Sequence, residues 1–217
     1  MSGELTALRP DRHPWDWYVE QAWVTEALAD RVDFGGGVIA DPCSGRGTIP
    51  DVFGLRGHDV IATDIADRGY DGQIGECDFL APHPAWLSRQ YEAARRLSFV
   101  FNSPYSFQDG VKVLGLAERF VRTALSITDA KVCALLPVKW LASEGRYRLF
   151  DEHAPEAIHI LCERPSMPPG NLIAELGKKA WKRGKIDYCW IVWDARARPM
   201  FGTPTFWIPP RAKAARV

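Results

Sequence analysis

Residues 37 to 48 read GVIADPCSGRGT: an apolar run, an acid at its end, then a turn carrying two glycines. The run predicts a first strand over 37–42. The turn opens into CSGRGTIPDVFGLRG, a short helix that Gly57 can close in the left-handed conformation. Two glycines let a ligand approach the backbone closely. The third glycine of a dinucleotide fingerprint and the Gly-Lys-Ser/Thr of a phosphate loop are missing. The turn therefore suits a small adenosine-containing ligand without phosphates. Asp41 is placed to hold a cationic group, and Asp64, 23 residues on, stands near the spacing at which an acid bonds ribose hydroxyls.

Outward from this stretch, short apolar runs alternate with helical patterns, the signature of an α/β parallel sheet. A helix is expected over Asp16–Asp30. HDVIATD (58–64) reads as the second strand, ECDFLAP (76–82) as a third short element, and LSFVFNSPY (97–105) as the fourth, buried on both faces. Between Gly110 and Ile127 apolar residues recur at i, i+3, i+4, i+7, which predicts an amphipathic helix. KVCALLPVKW (131–140), AIHILCE (157–163) and IDYCWIVWD (186–194) complete seven strands, with the polar helix SEGRYRLFDEH (143–153) after the fifth. Trp190, Trp193 and Trp207 are assigned to the core or a sheet edge.

Composition narrows the classes. The 217 residues are 47% hydrophobic and carry 27 basic and 27 acidic side chains, enough for one buried core and no global field. A single domain over 1–217 is expected. The five cysteines show no CxxC spacing and the five histidines no ligand cluster, so neither disulfides nor a metal is expected. With no apolar signal core and no membrane-length run, the expectation is a soluble, cytoplasmic chain.

Ligands of open parallel sheets bind beyond the carboxyl ends of the strands, and those exits hold Asp41, Asp64, Asp78 and Asn102. The fourth exit, Asn102-Ser103-Pro104-Tyr105, joins an amide, a proline and an aromatic ring. This exit resembles the Asp/Asn-Pro-Pro-Tyr/Phe motif of amino-methyltransferases, and the resemblance implies a ring-conjugated amine as substrate, a poor nucleophile because its lone pair is delocalised. The Asn102 side-chain oxygen and the Ser103 carbonyl are then expected each to accept one of its N–H bonds, favouring a pyramidal nitrogen. Pro104 stiffens the carbonyls' aim, and Tyr105 offers a face on which a base can stack, worth about 1 to 3 kcal/mol.

In order and spacing these stretches resemble the class I S-adenosylmethionine-dependent methyltransferases. DPCSGRGT resembles their first motif, TDI the acid after the second strand, CDFL the adenine-binding position, and NSPY the Asp/Asn-Pro-Pro-Tyr/Phe motif of amino-methyltransferases. LPVKWLASEGRYRLF, ERPSM and DYCWIVWD are similar to small phage or prophage adenine methyltransferases. The resemblance implies a Rossmann-like fold with a mostly parallel seven-stranded sheet and helices on both faces. It also implies S-adenosyl-L-methionine held by Asp41, Pro42, Cys43, Ser44, Gly45, Gly47, Thr48, Asp64, Ile65, Asp78 and Phe79. Trp17 and Tyr18 precede the first motif and are expected to line the cofactor pocket. The reaction implied is methylation of adenine N6 in DNA, on a flipped base.

Ser103 replaces the family's usual proline and hints at the Ser-Pro-Pro variant used on cytosine N4. RNA adenine, protein glutamine and a non-catalytic nucleic-acid-binding module are the other readings. A Pro-Cys nucleophile at Cys43 is set aside, because that motif follows the fourth strand in cytosine C5 enzymes. The segment 164–185 has 22 residues with six basic side chains against one acid. It reads as a substrate-recognition insert, with Arg164, Lys178, Lys179, Trp181, Lys182 and Arg183 expected to contact nucleic acid. Lys139, Arg146 and Arg148 are expected to extend that surface.

Overall fold

The computed structural model describes residues 13–94, 96–182, 184–197 and 202–212. Helix α1 (Ala22–Ala29) leads into β1 (Ile39–Asp41), α2 (Thr48–Leu55), β2 (Val60–Asp64) and β3 (Gln73–Glu76). Helix α3 (Ala85–Ala93) and β4 (Ser98–Phe101) follow, then a hairpin of β5 (Phe107–Gln108) and β6 (Val111–Lys112). The second half contains α4 (Leu116–Ile127), β7 (Lys131–Pro137), α5 (Glu144–Glu152), β8 (Ala157–Leu161), α6 (Ile173–Leu176), β9 (Tyr188–Asp194) and β10 (Thr205–Ile208).

The main sheet has eight strands in the order β10-β8-β9-β7-β4-β1-β2-β3. All neighbours run parallel except β9, which is antiparallel to both β7 and β8. Six of the seven expected strands are present, the third lies at Gln73–Glu76 just before its expected place at 76–82, and β10 adds an eighth at the edge. Strand order reverses at β1, whose neighbours are β2 and β4, so the exits of β1, β2 and β4 lie side by side. Side chains alternate across the sheet as the pleat requires. Phe99 and Phe101 face the helices α3, α4 and α5, while Val100 faces α1 and α2. Trp190 and Trp193 are buried on opposite faces, and the Trp190 indole donates to the Val24 carbonyl at 2.8 Å, tying β9 to α1. Trp207 is exposed on β10.

Three boundaries differ from expectation for physical reasons. Residues 16–21 are not helical, because Val19 N–H donates to the Pro168 carbonyl (3.0 Å) and Gly170 N–H to the Trp17 carbonyl (3.0 Å). Their backbone is thus paired with the insert, about 150 residues away along the chain. Strand β3 ends at Glu76, so Cys77 to Leu80 form the loop beyond its exit. Helix α4 begins at Leu116, not Gly110, because Asp109 and Gly110 adopt positive φ (50° and 73°) as the two-residue turn of the β5–β6 hairpin. Helix α5 matches its reading, with the Ser143 hydroxyl accepting Arg146 N–H as a cap. None of the described helices is long and apolar enough to cross a membrane.

Candidate active site

The backbone N–H groups of the turn after β1 are held by Asp41 at the end of β1 and by Thr63 and Asp64 of β2. Asp41 Oδ1 accepts Cys43 N–H at 2.9 Å, Ser44 N–H donates to the Thr63 carbonyl at 2.9 Å, and Gly45 N–H donates to Asp64 Oδ2 at 3.0 Å. Gly45 and Gly47 both have positive φ (52° and 84°), and a Cβ on Gly47 would fall 2.2 Å from the Tyr70 ring. These two positions therefore require glycine.

Above the turn lies a cleft lined by Pro42, Cys43, Ser44, Gly45 and Thr48 from the turn itself. Asp64 and Ile65 line it from the exit of β2, and Asp78 and Phe79 from the loop after β3. Trp17, Tyr18 and Glu20 close it from the N-terminal arm, and Asn102 and Pro104 from the exit of β4. Asp41 and Gly47 stand behind this wall: Asp41 is only 1% exposed and caps the turn. The Phe79 ring stacks on His83 and Phe120, which anchors the loop bearing Asp78.

The cleft is acidic. Burial pushes the Asp41 carboxyl well above the usual carboxylate range, and the charges of Glu20 and Asp64 push it further. Burial also raises Asp64, against the opposing bond from Gly45 and the nearby Arg68 guanidinium. Arg68 lies 3.5 Å from Asp64 Oδ1 and sits over the Trp17 ring. The Cys43 thiol is raised far above its ordinary value by burial and the carboxylates around it, the reverse of what a nucleophile needs.

At the exit of β4 the Asn102 carboxamide is held from both sides. Its Nδ2 donates to the Tyr18 carbonyl at 2.9 Å and to Glu20 Oε2 at 2.8 Å, while its Oδ1 accepts the Tyr105 hydroxyl at 2.7 Å. The loop beyond is clamped by Asp16, whose Oδ2 accepts Ser106 N–H (2.9 Å) and Phe107 N–H (3.0 Å). Glu20, Asp16 and Arg68 carry this geometry and are not legible as site residues in the sequence. Their one signal is position, just upstream of the glycine turn or just beyond β2.

A second cavity opens on the other side of this exit. Tyr18 lines both spaces; Tyr105, Ser106 and Tyr188 face the second. Its remaining wall is largely apolar and proline-rich, its rim carries Lys139, Lys179, Lys182 and Lys185, and no acid lines it among the described residues. None of these four lysines forms an ion pair among the described residues.

The basic residues expected at a nucleic-acid surface thus divide. Lys139, Lys179 and Lys182 converge on the cavity, joined by Lys185. Lys178 is exposed and Trp181 half-buried, both off its wall. Arg146 is committed to Glu118 (2.8 Å) and the face of Trp140, Arg164 to Asp187 (2.6 Å), and Arg148 to Glu144 (3.6 Å). Arg183 lies outside the described residues. Among the described residues, no group of three or more His, Cys, Asp or Glu could hold a metal ion.

No protein-family model matches the chain, and no curated protein matches it in sequence. Solved structures do resemble it. The type I restriction-modification system methyltransferase subunit from Streptococcus thermophilus aligns at TM-score 0.55 and 12% identity, over 85% of this chain and 46% of its own. A chain in the DrdV–DNA complex aligns at 0.54 and 12%, over 88% of this chain and 27% of that one. The 23S rRNA methyltransferase ErmE aligns at 0.51 and 14%, over 85% and 72%. The chain spans about half the length of the Streptococcus subunit. At these identities the likeness is one of fold alone, shared with two structures described as methyltransferases.

The raised carboxyl of Asp41 makes a stability prediction. A folded-state pKa above the unfolded value contributes stability at low pH that is lost as pH rises through it, so ionised Asp41 is a cost at neutral pH. Asn at position 41 keeps an acceptor for Cys43 N–H and removes the charge. Asp41→Asn should melt several degrees higher than the unsubstituted chain at pH 7, the gap closing as pH falls toward about 4. Thermal unfolding across pH checks this; an equal or lower melting point at pH 7 would contradict the burial argument.

Proposed function

We propose that the chain is an S-adenosylmethionine-dependent amino-methyltransferase that methylates adenine N6 in DNA, with the base extruded into the lysine-rimmed cavity. The observation that carries this reading is the Asn102 carboxamide. It sits between an acidic cleft and a basic cavity, with both amino hydrogens engaged and one lone pair of Oδ1 left to accept.

The acidic cleft suits the cofactor. Among the described residues the buried Trp17 indole N–H and Ser44 hydroxyl have no hydrogen-bond partner, and the crowded carboxylates favour a ligand bearing positive charge. Trp17, Ser44, Gly45, Asp64 and Asp78 would hold it. When bound, the cofactor would supply a methyl on cationic sulfur for transfer to the substrate nitrogen, the S–C pair being retained by sulfur and the surplus N–H proton passing to solvent as the product departs.

The chain's own residues orient the nitrogen. One N–H donates to Asn102 Oδ1 and the other to the Ser103 carbonyl, which accepts no hydrogen bond among the described residues. Removing the amine's planarity frees its lone pair, and Tyr18 and Pro104 line the cleft beside it. Tyr105 faces the cavity, where its ring offers a stacking surface for the extruded base. The four rim lysines match the flanking phosphates, which favours a polynucleotide over a protein glutamine.

The direct test is incubation with methyl-labelled cofactor and unmethylated duplex DNA, single-stranded DNA, RNA or protein extract, followed by mass identification of the labelled residue. Label should appear as N6-methyladenine in DNA and fall at least about 100-fold in Asn102→Ala, about 2.7 kcal/mol, with cofactor binding kept. Undiminished turnover in that variant, or label only in protein, would overturn the reading.

A Cβ on Gly170 would lie 2.2 Å from the Trp17 ring, although Gly170 belongs to the insert. Gly170→Ala should therefore weaken cofactor binding about tenfold by calorimetry, about 1.4 kcal/mol. Unchanged affinity would remove Trp17 from the cofactor wall.

Replacing Lys139, Lys179, Lys182 and Lys185 with Ala should flatten the dependence of log affinity for DNA on log salt by about 0.9 for each phosphate no longer neutralised. An unaltered slope would assign these lysines to solvent alone.

A further inference from the structure

We propose that Glu20 is a positioning residue for methyl transfer, holding the Asn102 carboxamide with its oxygen turned toward the substrate nitrogen. The inference rests on the amino-methyltransferase reading above and adds a residue to which the sequence reading assigned no role.

The oxygen and amino ends of a carboxamide are nearly equal in shape, so an asparagine can turn over about its last side-chain bond. Turned over, Asn102 would present N–H donors to the N–H donors of the substrate amine, and methyl transfer would lose its acceptor. Hydrogen bonds decide between the two orientations. On one side the amino group meets the Tyr18 carbonyl at 2.9 Å and Glu20 Oε2 at 2.8 Å. A carbonyl and a carboxylate only accept, so this side tolerates the amino end alone. On the other side stands the Tyr105 hydroxyl, 2.7 Å from Oδ1, which can donate or accept and so does not choose by itself. The choice therefore falls to Tyr18 and Glu20. Of the two, the bond to the carboxylate is charge-assisted and the stronger.

Glu20 is costly to bury. It is 7% exposed, no Lys or Arg pairs with it among the described residues, and its charge adds to that of Asp41. A neutral side chain would relieve that repulsion. Beyond the bond from its own backbone N–H, what the acid contributes in return, among the described residues, is one bond from the amide nitrogen of Asn102, 82 residues away in the chain. The arm that carries it is fastened by Val19 N–H to the Pro168 carbonyl and by the Thr48 hydroxyl to the Glu20 carbonyl. Glu20 thus has a fixed backbone from which to aim.

The test uses the full chain and DNA, with kcat and KM measured from methyl label incorporation and cofactor affinity measured separately. Glu20→Met removes the acceptor and should lower kcat at least about tenfold, with KM for DNA within about threefold of the unsubstituted chain. Glu20→Gln keeps an acceptor oxygen and should recover most of that loss, which a purely electrostatic role would not allow. Unchanged kcat in Glu20→Met, or equal losses in the two variants, would overturn the inference.

Should Glu20→Met fail to fold, a cycle through Asn102→Asp carries the same test. A carboxylate at 102 faces two acceptors and should be nearly inactive. Adding Glu20→Gln supplies a donor and should raise activity at least about tenfold, and no recovery would overturn the inference. Absence of label with the unsubstituted chain would instead sink the amino-methyltransferase reading itself, whatever the variants do.

Discussion

Parallel pairing of β1 with β2 on one side and β4 on the other is the constraint from which the site follows. Ile39 registers with Val60 and with Ser98, so Asp41, Asp64 and Asn102 emerge at one edge of the sheet within reach of a single ligand. The register is enforced by burial on both faces. Shifting β4 by one residue would exchange Phe99 and Phe101 with Val100 across the sheet, placing two phenyl rings where α1 and α2 leave room for a valine. No local turn chemistry could bring three exits from distant parts of the chain together; a packed sheet does so by geometry alone.

What can be read in the sequence is what local pattern determines. The first strand, its glycine turn, the end of α2 at Gly57, and the exits of β2 and β4 all announce themselves through apolar runs and punctuation. The N-terminal arm does not. Its extended course is set by bonds to Pro168 and Gly170, and Glu20 becomes a site residue only because that course brings it beside Asn102. Pairing likewise hides the true roles of Arg146 and Arg164, whose acidic partners are Glu118 and Asp187. Strand β10 escapes a sequence reading because the four residues of TFWI acquire a strand's geometry only against β8. The hairpin before α4 is legible in principle, since Asp109-Gly110 is a turn dipeptide, but the apolar spacing beyond it favours one longer helix.

Overall neutrality conceals a division of charge. Several of the arginines are neutralised by the chain's own acids, at Arg56, Arg122, Arg146, Arg164 and Arg211. Two local imbalances stand out among the described residues: four carboxylates against Arg46 and Arg68 around the cleft at the glycine turn, and four lysines with no acid around the proline-rich cavity. Such fields act over roughly 8 to 10 Å at physiological salt, so each governs its own opening. The proposed function puts a cation on one side of Tyr18 and a polyanion on the other, and the wall between the two openings is the arm and the Asn102 exit. A chain with the same charges evenly mixed would have the same isoelectric point and neither preference.

Serine at position 103 bears on how rigid that wall is. The usual proline at this place would restrict two successive residues, whereas Ser103 leaves its own φ free. Rigidity is recovered through contacts instead of covalent rings. Asn102 is held by three hydrogen bonds, and Pro104 restricts Ser103 from the other side. Two successive backbone N–H groups, at Ser106 and Phe107, are captured by the single oxygen Oδ2 of Asp16. Ser103 itself is 1% exposed, so packing leaves it little room to explore the conformations its φ would allow. Most of these restraints originate in the N-terminal arm, and the arm is fastened to the insert that supplies most of the lysine rim. The precision of the amide is thereby made to depend on the same backbone ladder that shapes both openings, so that distortion of the insert is felt at Asn102.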